Sequence, residues 1–576
     1  MLLFLFLFLL IPTRIFAVTN EFTITQNVNY EHQSNFSCSV EEKVEIINNF
    51  SQIYLKEYKV NLSLTNLQNI KAYDAGGSIL QKIEQNDSST SIFLKFNQPQ
   101  VGKNQKTSFT LTYSLQKCST KKGKTIEIVL PNFSQTDQNH LVNITLQVPT
   151  NFGNLSTSSI KNFSYHQISN HHLYKFPITS NSPTIFIFGD HQLFDFSLDY
   201  YLQNPENNSI QTQIALPPDT DYQTVTYTKI IPPPTNVKQD GDGNWLATYT
   251  LKPQEQITIN ASGQVKIKPP IHSPQAIDQS KYLVSQNHWP IDSPQVKTLP
   301  GKLDTPKSIY DFVVRYLSYD YTRFNSAKRQ GALFALNNPQ NALCTEFTDL
   351  FVTVARSRNI PAREIQGFAF SSDDKIKPIN ITSDVLHAWP QYYDSTKNIW
   401  VSVDPTWEKT TNGIDYFTDL DLNHFTFVIH GLESEYPSPP GAYKNSQQIK
   451  TVNVNFSPDE LESDVISPII SNHKDDLRIK NPNLFALHNV SVSSKNQILF
   501  TINLLPPLGE ANLNYSLPFY QLSQSFTVKS EETAEQQVTV DNQFKKLVPI
   551  FITSITIILL CILGIILARP KHEKIA

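Results

Sequence analysis

Asn341-Ala-Leu-Cys-Thr-Glu-Phe-Thr-Asp-Leu-Phe351 is the stretch on which the reading of this 576-residue chain turns. Phe347, Leu350, Phe351 and Val354 recur at helical spacing, so a helix opens near Cys344 and buries that stripe. Asn359 and Pro361 close it. Upstream, Thr305-Pro306 is a cap followed by proline at the first helical position. Ile309, Phe312, Val313, Tyr316 and Leu317 then share one helical face. Downstream, 363–370, 386–393 and 400–403 read as strands. Helices followed by strands make an α+β plan.

Three residues of this region carry chemistry. Cys344 stands at a helix start, where unpaired N–H groups and the positive end of the dipole stabilise a thiolate and can hold an oxyanion. His387 lies in an apolar strand, and Asp404 follows the strand 400–403. If those two strands pair antiparallel, the carboxylate reaches the imidazole from behind and fixes its tautomer. Singly, each residue has an ordinary structural reading: a packed cysteine, a packed histidine, an Asp-Pro turn. Together, in this order on one compact module, they are the parts of a nucleophilic acyl-transfer site if they meet in space.

Four blocks support that reading. They are Asn341 to Phe351 as quoted, Ala355-Arg-Ser-Arg-Asn-Ile-Pro-Ala-Arg-Glu-Ile-Gln-Gly367, His387-Ala-Trp389 and Trp400-Val-Ser-Val-Asp-Pro-Thr-Trp407. In order and spacing they resemble the transglutaminase-like core, a papain-like thiol fold that includes protein-crosslinking enzymes, peptidases and amidases. The resemblance covers about 281–436. It implies Cys344 as nucleophile, His387 as base and Asp404 as orienting acid. Ile360-Pro-Ala-Arg363 and Gly367 would be scaffold, and Trp389 and Trp407 would wall the site on the substrate side. The family often carries an acidic residue just after His-Ala-Trp, where this chain has Pro390 and Gln391. Asp415, Asp419 and Asp421 read as a solvated edge, so no calcium set is expected. No Cys/His cluster has zinc-ligand spacing, and neither a metal nor another cofactor is expected.

The flanks are β-rich. Phe109, Leu111, Tyr113 and Leu115 alternate with Ser108, Thr110, Thr112 and Ser114, which gives one buried and one wetted face. Asp240-Gly-Asp-Gly-Asn244 lacks the acidic set of a calcium loop and reads as a hairpin turn before the strand 245–251. Proline-rich runs at 268–274 and 436–440 set off the central module. The expected fold class is thus multidomain: β-sandwich-like domains around an α+β transglutaminase-like core, plus one C-terminal transmembrane helix. The expected divisions are a signal peptide at 1–17, β domains at 18–135 and 136–270, and the core at 271–436. A third β domain at 437–530, a stalk at 531–546, a span at 547–568 and a tail at 569–576 complete them.

The apolar run 1–17 resembles a secretory signal, and 547–568 holds no charge. Lys545 and Lys546 precede that span, and Arg569, Lys571 and Lys574 follow it, which directs the tail to the cytoplasm. The expected placement is therefore single-pass in the cell membrane, with the bulk of the chain outside the cytoplasm. Of four cysteines, Cys561 lies in the span, and pairing Cys38 with Cys118 leaves Cys344 free. The alternative is that Cys38 and Cys118 both stay reduced. A net charge of −4 gives no electrostatic case for nucleic acid. The expected partners are a protein or peptide-like substrate at the cell surface, and the membrane through the C-terminal helix.

The polar segment 371–384 is expected to overhang the site and select substrate. Function reads as an exported cysteine acyltransferase or hydrolase: a protein-glutamine transferase, or a cysteine peptidase or amidase. The alternative is a surface scaffold or adhesin with a repurposed thiol core.

Overall fold

The computed structural model describes residues 21–131, 139–179, 184–270, 276–323, 328–371, 386–411, 414–418, 420–445, 450–473, 476–495, 497–515, 517, 521–542 and 548–567. The expected signal peptide, the segment 371–384 beyond its first residue, and the tail at 569–576 lie outside them. The chain divides into two compact units, up to Gly189 and from Asp190 onward.

The first unit is all β. Its largest sheet has eight strands, at whose centre Phe22–His32 pairs in parallel with His140–Pro149 and antiparallel with Cys38–Asn48. Lys106–Leu115 continues the sheet, and Phe109, Leu111, Tyr113 and Leu115 are the buried face that the alternation requires. They pack with Ile128, Phe186 and Phe188 of a four-stranded sheet in one core. The boundary expected at 135/136 therefore falls inside this unit. A parallel partner more than a hundred residues away leaves no local mark in sequence. Cys38 and Cys118 form a disulfide with Cα atoms 6.0 Å apart.

In the second unit, Gln192–Gln203 pairs with Gln256–Ile267 and also with Val452–Phe456, a strand that follows the thiol region in sequence. The facing sheet is Ile210–Leu216, Trp245–Leu251 and Asn236–Gln239. Asp240-Gly-Asp-Gly-Asn244 is the hairpin turn, with Asp240 Oδ1 accepting the N–H groups of Asp242, Gly243 and Asn244 at 2.9 Å. Towards the C-terminus, Ser523–Lys529 pairs with Gln536–Asp541, so the expected stalk at 531–546 carries a sheet strand. Its polar composition reflects an exposed edge.

The expected transmembrane helix is corrected. Val548–Leu567 is helical, but no helix among the described residues is long and apolar enough to cross a membrane.

The central module begins with α1 (Pro306–Tyr316), capped by the Thr305 side chain on Ser308 N–H. Its buried face is Ile309, Tyr310 and Val313, with Leu317 beyond; Phe312 and Tyr316 are less covered than the sequence suggests. Next come α2 (Ala332–Asn337) and α3 (Cys344–Ser357), which Asn359 ends with a φ of 62°. Then follow β1 (Ala362–Ala369), β2 (His387–Asp394), β3 (Ile399–Ser402), α4 (Pro405–Thr410) and β4 (His424–His430). The sheet order is β3-β2-β1-β4, antiparallel throughout. Phe347, Leu350, Phe351 and Val354 of α3 share one core with α1 and with Val403. Gly367 permits the close approach of β1 to β4: a Cβ there would stand 2.0 Å from Phe425 O.

Candidate active site

Three elements converge on the site. Cys344 is the first residue of α3; it is unpaired by disulfide and partly exposed. Glu346, fully buried two residues on, fixes this helix start. Its Oε2 accepts Leu343 N–H at 2.9 Å and its Oε1 accepts Gln330 N–H at 2.9 Å, with Arg323 alongside at 3.3 Å. His387 opens β2, whose antiparallel pairing with β3 sets Gln391 against Ser402. The chain leaving β3 then delivers Asp404 to the imidazole. His387 Nε2 and Asp404 Oδ2 are 2.8 Å apart, both side chains buried.

Asp404 is more than a turn residue. It is the N-cap of α4, with Oδ1 accepting the N–H groups of Thr406 and Trp407 at 2.9 and 3.1 Å. Its backbone carbonyl accepts the Tyr310 hydroxyl at 2.9 Å, which ties α1 to the site. Burial works against its charge, but His387 and His424 outweigh burial and hold its carboxyl well below the usual range.

The same balance acts on His387. Burial disfavours the imidazolium, yet the Asp404 charge and hydrogen bond, with a contribution from the Cys344 thiol, raise it to about 9. Asp404 takes Nε2 and the Cys344 thiol acts on the same ring, which leaves the buried Nδ1 for the thiol side. Tyr319, which bridges to Ala342 beside the thiol, has its hydroxyl pushed far up by burial and then by Cys344.

The structure therefore brings Cys344, His387 and Asp404 together. It places Trp389 and Trp407 elsewhere than expected. Both indoles are fully buried, and the His387 ring stacks on Trp407 at 5.0 Å and on Trp389 at 5.9 Å. They pack against the imidazole and restrict its plane. Gln391, at a position often acidic in such cores, accepts from Arg363 Nε at 2.7 Å and donates to Ser402 Oγ at 2.8 Å. Arg363 in turn lies over the Trp400 ring.

Two residues escaped the sequence reading. Asp421, expected on a solvated edge, is buried and pairs with His424 Nδ1 at 2.9 Å, while His424 Nε2 lies 3.3 Å from Asp404 Oδ2. Asp415 accepts the N–H groups of Phe417 and Thr418, and Asp419 lies outside the described residues. Among the described residues, two groups could by distance alone ligate a metal: His387, Asp404 and His424, and His32, Cys38 and Cys118. In the first, the rings spend a nitrogen each on the carboxylate, and in the second both sulfurs are in the disulfide.

A thiol at a helix start, an imidazole and a carboxylate in this geometry define a papain-like, thiol-type site. Residues 292–405 match the model of the transglutaminase-like superfamily, and this region is a transglutaminase-like domain. No curated protein matches the chain. Among solved structures, a proposed cysteine protease from Cytophaga hutchinsonii is 15% identical, with a TM-score of 0.29 over 47% of this chain and 99% of its own. A proposed nutrient-binding protein from Legionella pneumophila is 7% identical, with a TM-score of 0.21 over 29% of this chain and 67% of its own. An M1 zinc metallopeptidase from Deinococcus radiodurans is 9% identical, with a TM-score of 0.20 over 32% of this chain and 44% of its own. The family match, and not these scores, carries the assignment.

Proposed function

We propose that this chain is a cysteine-dependent acyl-transfer enzyme acting on a carboxamide or peptide bond of a protein or peptide-like substrate. The observation that carries the reading is His387, held at Nε2 by Asp404 with Nδ1 left towards a partly exposed, unbridged Cys344. His387 takes the thiol proton, and the sulfur attacks the substrate carbonyl to give a tetrahedral oxyanion. The first-turn N–H groups of α3 are the donors for that oxyanion. On collapse, the C–N bond breaks, His387 returns its proton to the leaving nitrogen, and a thioester remains on Cys344. An amine or water, deprotonated by His387, then attacks the thioester and restores the thiol.

Export from the cytoplasm is part of the proposal. The Cys38–Cys118 disulfide supports it, because such bonds persist in oxidising compartments.

The test incubates the full chain with a glutamine-containing peptide, with and without a primary amine, and follows products and protein mass. Turnover with a thioester adduct on Cys344, both lost in Cys344→Ala, is the expected result. Turnover that survives Cys344→Ala, or no adduct on any amide offered, would overturn the reading.

A further inference from the structure

Asp404 does not serve His387 alone. With Oδ1 committed to capping α4, its Oδ2 meets two rings, His387 Nε2 at 2.8 Å and His424 Nε2 at 3.3 Å. The other nitrogen of His424 lies 2.9 Å from Asp421 Oδ1, and Asp421 Oδ2 lies 3.4 Å from the Tyr416 hydroxyl. Every member of this chain is buried. Trp407 at 4.6 Å, Trp389 at 4.9 Å and the His387 ring at 5.8 Å enclose the His424 ring. The titratable groups facing it are therefore Asp404 from the α4 cap, Asp421 and Tyr416 from the preceding loop, and His387 from β2.

An ionised carboxylate only accepts hydrogen bonds, so a ring with a carboxylate oxygen at each nitrogen must donate from both. An imidazole that donates from both nitrogens is the cation. We propose that His424 is a positioning residue, a standing imidazolium that holds Asp404 ionised and aimed at His387 while tempering the pull of Asp404 on the His387 proton. This rests on the role given to His387 above. A fixed cation on the same oxygen opposes the charging of His387, so His387 releases its proton to a leaving group more readily than with Asp404 alone. A histidine serving only as packing would need neither carboxylate.

The test uses the full chain labelled with ¹⁵N-histidine, with His424 signals assigned by their loss in His424→Gln. Both nitrogens of His424 should remain protonated between pH 6 and pH 8. A neutral-tautomer signature at pH 7 would overturn the proposal. In parallel, the pH–rate profile of Cys344 alkylation by iodoacetamide is compared for wild type, His424→Gln and Asp421→Asn.

The limb that His387→Gln abolishes should move to higher pH by about one unit in His424→Gln. Asp421→Asn should move it in the same direction by less. Profiles that superpose on wild type would overturn the proposal even if the variants are less stable. Should His424→Gln not fold, Asp421→Asn and the wild-type spectrum decide. Failure of the acyl-transfer reading is separable, since it removes turnover on amides and leaves the His424 protonation readout intact.

Discussion

Replacing Asp404 with asparagine tests the electrostatic core of the site. The amide keeps an oxygen for the Thr406 and Trp407 N–H groups but loses the charge that faces two histidines. His387 and His424 are each raised from 6.5 to about 9 against the opposing effect of burial. At 1.36 kcal/mol per unit, each shift is worth roughly 3 kcal/mol. Asp421 supplies the larger attraction on His424, so only part of that second shift belongs to Asp404. The expected loss of stability at pH 7 is about 3–5 kcal/mol.

The sign of its pH dependence is fixed. A histidine raised in the folded state contributes fully below its unfolded value of 6.5 and loses that contribution as pH rises through about 9. The difference between wild type and Asp404→Asn should therefore shrink to about 1–2 kcal/mol at pH 10, where neutral hydrogen bonds remain. The assay is urea unfolding at pH 7 and pH 10, read by tryptophan fluorescence, because Trp389 and Trp407 pack on the His387 ring. A difference that is unchanged or larger at pH 10 would refute the argument.

Two further substitutions test how the thiol and its sheet are held. Glu346→Ala leaves the Leu343 and Gln330 N–H groups without their acceptor, and should cost about 2–4 kcal/mol by chemical denaturation while slowing Cys344 alkylation. No loss in either would mean that the start of α3 is fixed by something else. Gly367→Ala would drive a methyl group to 2.0 Å from Phe425 O, so β1 and β4 must separate. The expected result is a fall in Tm of more than about 5 °C or insoluble protein, and a wild-type Tm would refute the close approach.

Much of the site was legible in the sequence because its signals are local. Thr305-Pro306, the apolar stripe of α3 and Asn359 before Pro361 mark helix ends by capping chemistry, and the order Cys344, His387, Asp404 fits one antiparallel hairpin after a helix. His424 was not legible, because β4 is buried along its whole length and shows no alternation to set one polar residue apart. Asp421 reads as solvated until its histidine partner is known. Trp389 and Trp407 follow the expected motifs, yet their burial behind the imidazole depends on packing that no spacing reveals. The pairings of the flanking strands were hidden for a different reason. Strands at 140–149 and 452–456 join sheets begun far earlier in the chain, and uniform β texture hides such pairings.

The most direct test of the central claim is intact-mass analysis of the full chain after a brief iodoacetamide pulse at graded pH. With Cys38 and Cys118 bridged, only Cys344 and Cys561 can react. The account predicts rapid addition at neutral pH that maps to Cys344, disappears in Cys344→Ala and slows at least tenfold in His387→Gln. Labelling confined to Cys561, or a Cys344 rate indifferent to His387→Gln, would contradict it.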